Sequence, residues 1–552
     1  MTALRFPQSL FSLTERADQS VERQMANTVK KLGWLERCLQ HHSCGNGEGN
    51  PLPTRIVDVG RSNDDIRLVI SGNLQARYVC LSHCWGDHQP LRLTKSTYNQ
   101  FQKAIPWDEL PKTFQEAIAF TRELGIRYLW IDSLAILQDD KSDWLVESAR
   151  MYAVFHNSYL TLAATAGRNG MSGLYTERVK RHSFEFSGSR SRFTVSTRAI
   201  IEHAKKWSLY SYYYPLLTRA WVLQERFLSP RVLHFGPHEL FWECQDDVYC
   251  ECGNSKDIVL GKHGDRSRVV DAPSLDNVAL MHHKWRDLVE EYSVMDLTKA
   301  SDKLPAIAGL ASDMKLRRVD SQYLWGLWSD SLHEDLLWYF NSSPSDPASV
   351  GYWNKNWRAP SWSWASIDGY INWPHSEYRY NRRHSFQRTI EFEASLLPSV
   401  DPTSVDAAVG PGTPTLQLTG ATFKGRLILG EDLDYYSELF DSRQQMLFRT
   451  YEGDVGDLYL DDNEGLLEGC ETLELDVVCM KMGTFITNED GNRESEELTL
   501  VLMLEGTQKD TFRRIGMGIY TRYNFDDDDL PSEDAFKPPY DVAAELRTIN
   551  VV

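Results

Sequence analysis

Two short polar clusters each follow an apolar run in this chain. Ser82-His83-Cys84-Trp85-Gly86 follows YVCL, and Asp132-Ser133-Leu134-Ala135 follows IRYLWI. The clusters bring together nucleophile or acid–base candidates, an aromatic wall in Trp85 and a flexible glycine in Gly86. In open parallel sheets, ligands bind outside the carboxyl ends of the strands. If the two apolar runs are neighbouring strands, the clusters form one site. His83 taken alone also reads as a hydrogen-bonded structural histidine.

Glu147 is the third candidate. Trp144, Glu147, Ser148, Met151 and Phe155 fall on one face at helical spacing. That face carries the aromatics and is expected to pack inward, where an unpaired carboxylate is costly. Glu147 lies less than two turns from the expected helix start, close to the strand-end edge. It reads either as a functional carboxylate facing a cleft or as the partner of Arg150 or another nearby arginine.

Other reactive groups carry weaker patterns. Cys84 follows His83, but neighbours on a strand point to opposite faces, which opposes a thiolate–imidazole pair. Cys244, Cys250 and Cys252, with His234 or His238, have thiol spacing that matches no common zinc finger. Cys38 and Cys44 around His41 and His42 are no better by spacing. The acidic run Asp526 to Asp529 reads as a solvated loop. The expectation is therefore no metal site, no cofactor and no disulfide. There is no Walker A loop and no strand-linked G-x-G-x-x-G.

The positioning elements follow from periodicity. Ala76–Leu81 is an expected strand. Phe114, Ala117, Ile118, Thr121 and Leu124 keep helical spacing. Thr113 and Glu116 read as a capping box ahead of them, and Gly125 as the helix-ending glycine. Ile126–Ile131 is a buried strand, 142–156 a second helix and Tyr159–Ala164 a third strand. Short links in this order imply right-handed crossovers and a parallel sheet with helices on both faces. Thr218–Cys244 reads as a helix followed by a hairpin.

Length and composition set the frame. The chain has 552 residues, more than one ordinary core holds. Residues 1–75 are expected as an N-terminal extension, with a helix near Gln24–Gln40 and an extended segment at Thr54–Gly60. Residues 76–260 form the expected α/β domain and its following segment. Residues 261–397 form a mixed helical, Trp-rich part, and residues 398–552 a β-rich C-terminal region after a Pro/Gly-rich stretch. A net charge of −19 opposes non-specific nucleic-acid binding. No apolar run is long enough to span a membrane, and the start shows no signal peptide, so a cytoplasmic protein is expected.

The ordered motifs LSHCWG, LPKTFQEAI, LGIRYLWIDSL, DWLVESARM and LTLAATA resemble the heterokaryon-incompatibility (HET) domain family of fungi. WLERCLQHHSC and LPTRIVDVG before them, and RAWVLQERFLSPRVLHFG, LFWEC, DKLPAIAGLA and APSWSWAS after them, are also similar to that family. The resemblance implies a role in non-self recognition and regulated cell death, with a protein partner in incompatibility signalling and self-assembly. It also implies a TIR-like, flavodoxin-like fold.

Some TIR domains hydrolyse NAD, using a glutamate in a helical pattern like W-C-x-x-E. Trp144 and Glu147 match that spacing, without the cysteine. The resemblance thus implies an NAD glycohydrolase with Glu147, His83 and Asp132 as catalytic groups, and with Ser82, Trp85, Gly86, Ser133, Ala135 and Trp144 holding the substrate. Two other readings stand beside it: a non-catalytic assembly module, and a Cys-His type biosynthetic or hydrolytic enzyme. The family usually reads D-S-L-C-I where this chain has alanine at position 135, and R-G-W where it has Ala220.

Overall fold

The computed structural model describes residues 11–12, 33–45, 48–86, 91–175, 182–187, 192–197, 214–251, 275–340, 352–353, 357–374, 384–388, 393–396, 414–429, 446–450, 455–460, 473–489, 492–504, 510–522 and 545–552. The chain forms two compact units, residues 1–268 and 269–552. Cys252, the Asp526–Asp529 run, the Pro/Gly-rich stretch and most of the helix expected near Gln24–Gln40 fall outside the described residues.

The first unit is built on an eight-stranded sheet. Its strands are β1 (Arg55–Asp58), β2 (Arg67–Ile70), β3 (Tyr78–Ser82), β4 (Tyr128–Trp130), β5 (Leu160–Ala163), β6 (Arg231–Phe235), β7 (Leu240–Cys244) and β8 (Val248–Cys250). They lie side by side in the order β8-β7-β6-β5-β3-β4-β1-β2. The helices are α1 (Trp34–His41), α2 (Tyr98–Lys103), α3 (Lys112–Glu123), α4 (Asp132–Ala135), α5 (Lys141–His156) and α6 (Ala220–Leu228). The small antiparallel sheet of Phe11–Ser12, His182–Ser187 and Arg192–Thr197 stands apart from it.

The sheet is mixed: β3, β4 and β5, expected as a parallel core, are parallel neighbours, and antiparallel strands that flank this core extend the sheet on both sides. The pairs β4–β3, β3–β5 and β5–β6 are parallel. The flanking pairs β4–β1, β1–β2, β6–β7 and β7–β8 are antiparallel. Crossover helices follow β3, β4 and β5, whereas short turns join β1 to β2, β6 to β7 and β7 to β8. Tight turns reverse direction, and crossovers preserve it. The segment expected as an N-terminal extension thus supplies two strands, and Trp34, Cys38 and Cys44 lie in the core.

Residue alternation explains the two-sided burial. On β3, Val79 and Leu81 share a core with Phe114, Ala117 and Ile118 of α3. Tyr78 and Cys80 point the other way, toward α5, where Tyr78 Oη donates to the carbonyl of Val154 at 2.5 Å. Trp130 of β4 meets Phe155 of α5 edge-on at 5.6 Å. Both faces are covered by helices, so all of β3 is buried and reads as a continuous apolar run.

The capping box does not form. Helix α3 starts on Pro111 with no side-chain cap. Thr113 Oγ1 accepts from the N–H of Gly173 at 3.0 Å, and Glu116 Oε2 accepts from those of Leu174 and Tyr175 at 2.5 and 3.2 Å. A returning loop supplies donors, and the two side chains turn to it instead of the helix start. The C-terminal signal holds: Gly125 adopts φ 76°. The next long helix, α5, is capped by Asp140, which accepts from the N–H groups of Ser142 and Asp143.

The second unit holds the Trp-rich part and the β-rich part together. Buried indoles of Trp285 and Trp364 both donate to the carbonyl of Gly326, at 2.8 and 2.9 Å. Strand pairing among Leu416–Leu429, Leu473–Glu489, Asn492–Leu504, Thr511–Arg522, Val455–Leu460 and Met446–Thr450 closes into a circuit. Arg514 joins the two parts: fully buried, it donates to the carbonyl oxygens of Leu336 and Trp338. Its guanidinium lies 3.5 Å from the centre of the Trp338 ring. Among the described residues no helix is long and apolar enough to cross a membrane.

Candidate functional site

The carboxyl ends of β3 and β4 lie side by side. Tyr78, Val79 and Cys80 pair with Tyr128, Leu129 and Trp130, so the residues after each strand emerge at the same edge. Beyond β4 the chain turns into α4, and Asp132 Oδ1 accepts from the N–H of Ser133 at 2.6 Å. Asp132 Oδ2 accepts from Trp85 Nε1 at 2.8 Å. His83 Nδ1 stands 3.9 Å from Asp132 Oδ1. The two clusters singled out in the sequence therefore meet, as expected.

A partner from far along the chain completes the edge. Glu225 of α6 accepts a hydrogen bond from Ser82 Oγ at 2.5 Å. Burial pushes the Glu225 carboxyl up to about 8; the Ser82 bond opposes this, the Asp132 charge adds to it and Arg219 opposes it. Burial also holds the His83 imidazole below its ordinary value, with Asp132 opposing and Arg219 reinforcing. Burial raises the Cys84 thiol, while Arg219 counteracts by charge and a hydrogen bond. Cys84 is thus a protonated, buried thiol rather than a ready nucleophile.

The edge has a solvent-facing lip and a buried floor. The Asp132 side chain is 26 % exposed and that of His83 only 2 %. Trp85 is half-buried and Gly86 exposed. Ser82, Ser133 and Glu225 lie beneath. His83 packs edge-on against Phe114 at 4.9 Å. Among the described residues, His83 Nε2 and Ser133 Oγ are buried without a hydrogen-bond partner. Unpartnered buried polar atoms are uncommon in folded proteins. Gly86 sits at φ 68°, and a Cβ there would come within 2.4 Å of Asn169 Cβ. It holds the loop close to the turn at Arg168 and Asn169.

Glu147 belongs to a neighbouring cluster. It is buried on α5, as its helical face required, and its Oε1 is 3.2 Å from Arg150 Nη1 and 4.0 Å from Arg55 Nη2. Arg55 Nη2 also donates to both oxygens of Asp143, at 2.8 and 2.6 Å. Arg55 Nε donates to the carbonyl of Ala135 at 2.6 Å. Arg55 therefore ties Glu147 and Asp143 to α4, the turn that carries Asp132. Ala135 is buried at the end of that turn. Trp144 is half-buried and meets Trp221 of α6 edge-on at 6.3 Å.

Sequence reading missed Glu225 and Arg219. The signal for Glu225 was a run of polar and charged residues, Gln224-Glu225-Arg226, in the middle of an apolar helix, where each needs a partner. Arg226 finds Glu243 of β7, with Nε to Oε2 at 2.8 Å and Nη2 to Oε1 at 3.0 Å. His234, weighed as a zinc ligand, lies 3.2 Å from the same carboxylate and 3.0 Å from Thr165 Oγ1. Groups able to ligate a metal gather elsewhere, around Cys38, His42, Cys44 and Cys244.

No curated protein and no solved structure matches the chain. A family model does match, and its span runs from the first residue of β3 to Glu225, so it contains the site just described. Residues 78–225 match the family described as heterokaryon incompatibility protein (HET).

Proposed function

We propose that this chain acts in heterokaryon incompatibility, and that the strand edge formed by Ser82, His83, Trp85, Asp132 and Glu225 is a catalytic site that cleaves a glycosidic bond. The first substrate to test is NAD. The observation that carries this reading is the convergence of acid–base groups of opposed character at one sheet edge. Glu225 holds its proton, His83 is kept neutral, and Asp132 faces solvent beside an indole. Carboxyl groups set apart in this way divide acid and stabilising roles.

The step balances without a further reactant. The bond from ribose C1′ to the nicotinamide nitrogen breaks, and its electron pair goes to nitrogen. The Asp132 carboxylate stabilises the oxocarbenium-like carbon. Water adds at C1′, and its proton passes to neutral His83 and then to solvent. Trp85, oriented by Asp132, offers a ring for stacking, and the protonated Glu225 offers a donor to a ribose hydroxyl. Glu147, which the resemblance puts forward, competes for the stabilising role.

Nicotinamide release from NAD by the full chain, at high protein concentration, tests both. Asp132→Asn is expected to lower turnover at least about a hundred-fold, the usual cost of one essential electrostatic group. Glu147→Gln, which keeps the size of the buried side chain beside Arg150, is expected to retain turnover. The reverse pattern moves the chemistry to Glu147. No turnover by the unsubstituted chain at any concentration favours an assembly module instead.

A further inference from the structure

We propose that Cys38, His42, Cys44 and Cys244 form a structural Zn²⁺ site that clasps α1 and the loop after it to the β6–β7 hairpin. One ligand atom from each residue lies within 4.8 Å of those of the other three. A tetrahedral zinc with Zn–S bonds of about 2.3 Å sets its sulfur atoms about 3.8 Å apart, so modest closure suffices. Cys3His is a common structural zinc set, and four protein ligands leave no open position for a substrate. His42 Nδ1 already stands 3.2 Å from Cys244 Sγ. The three thiols are free, not paired as disulfides.

The surroundings fit an anionic metal–thiolate centre. Arg231 is fully buried on β6, and its Nε donates to Cys38 Sγ at 3.2 Å. Its other bonds go to the carbonyl oxygens of Tyr159 and Gly45. None of these partners is anionic while Cys38 is a neutral thiol, and a buried cation needs a counter-charge. Zinc with three thiolates and one neutral imidazole carries a net negative charge, which Arg231 would balance. The N–H of Asp247 donates to Cys244 Sγ at 3.3 Å, a typical outer-shell bond to a metal-bound thiolate. Asp246 Oδ2 accepts from the N–H of Ser43 at 2.7 Å and so holds the turn between His42 and Cys44; it lies 3.8 Å from Cys44 Sγ.

Location argues for a structural role. Cys244 pairs with Arg231, the first residue of β6. Since β6 runs parallel to β5 and β5 to β3, this is the amino edge of the sheet, opposite Ser82 and Asp132. The site would join residues some two hundred positions apart, on either side of the stretch 78–225.

Metal analysis of the full chain, purified without chelator, tests the proposal. About one zinc per chain is expected. Chelation should lower the thermal unfolding midpoint, and added Zn²⁺ should restore it. Co²⁺ loaded into the stripped protein should give the thiolate charge-transfer and intense visible bands of a tetrahedral sulfur-rich site. Cys244→Ser should abolish zinc binding, while Cys250→Ser, on the neighbouring strand β8, should keep it. Zinc well below one per chain, with a midpoint indifferent to chelator and to Zn²⁺, would overturn the proposal. So would a disulfide among Cys38, Cys44 and Cys244 in the purified chain.

Discussion

Ser82 at the end of β3 donates a 2.5 Å hydrogen bond to Glu225 of α6, 143 positions later in the chain. The bond does not offset burial enough to keep the carboxyl ionised at neutral pH. Glu225 therefore keeps its proton up to about pH 8 in the folded chain. This links the site to stability in a way that pH can read.

Below about pH 4.3, the ordinary glutamate value, Glu225 is protonated whether the chain is folded or not. Between there and about pH 8 only the folded chain holds the proton. Stability from this group is thus present at low pH and is lost as pH rises through that window. One proton amounts to at most about 1.4 kcal/mol per pH unit. Glu225→Gln keeps the size and can accept from Ser82 but does not titrate. The stability difference between the E225Q variant and the unsubstituted chain, measured by denaturant unfolding, is expected to move in favour of the variant as pH rises from about 5 to about 8. A pH-independent difference would contradict the raised proton affinity.

Gly86→Ala should destabilise the first unit. The left-handed backbone costs an alanine about 1–2 kcal/mol. Its Cβ would also meet Asn169 Cβ at 2.4 Å, a backbone-anchored contact that must move. Overpacking adds about 1–3 kcal/mol. A total loss of roughly 2–5 kcal/mol is expected by urea unfolding. Asn169→Gly in the same chain should recover part of the loss, since it removes the atom that clashes.

The Arg226–Glu243 pair should behave as a coupled unit. Both side chains are buried, at 5 % and 0 % exposure, with two hydrogen bonds between them. Glu243→Leu deprives Arg226 of its carboxylate and is expected to cost about 3–5 kcal/mol. Arg226→Met with Glu243→Leu should cost clearly less than the sum of the single changes. A double-mutant cycle on unfolding free energies checks this. Simple additivity would mean that the pair contributes nothing as a pair.

Much of the first unit was legible in the chain. The apolar runs at Tyr78 and Ile126, the helical spacing of Phe114 to Leu124 and of Trp144 to Phe155, and Gly125 all describe elements that form. Local pattern sets these, because a helix covered on one side repeats its apolar residues about every 3.6 positions, and a strand covered on both faces is apolar throughout. The meeting of the Ser82 and Asp132 clusters also followed, since a helical crossover between two strands tends to make them parallel neighbours.

The same local signals misled where a distant partner offered better bonds. Thr113 and Glu116 have the spacing of a capping box, but the loop at Gly173–Tyr175 takes both side chains. The hairpin of β6 and β7 was expected, but the antiparallel flank of β1 and β2 was hidden, because Arg55–Asp58 lies before the core and its pairing depends on which strand edge is left open.

The amino-acid sequence alone determined the elements around residues 78–225, their order, and the residues at the two central strand ends. Only the tertiary structure decided that Glu225 joins Ser82, that Glu147 sits against Arg55 and Arg150, and that Cys244 meets Cys38, His42 and Cys44. The physical reason is range. Periodicity and turn chemistry act over a few residues, whereas a buried charge or thiol is partnered by whatever the packed sheet brings within about 4 Å, however far away it lies in the chain.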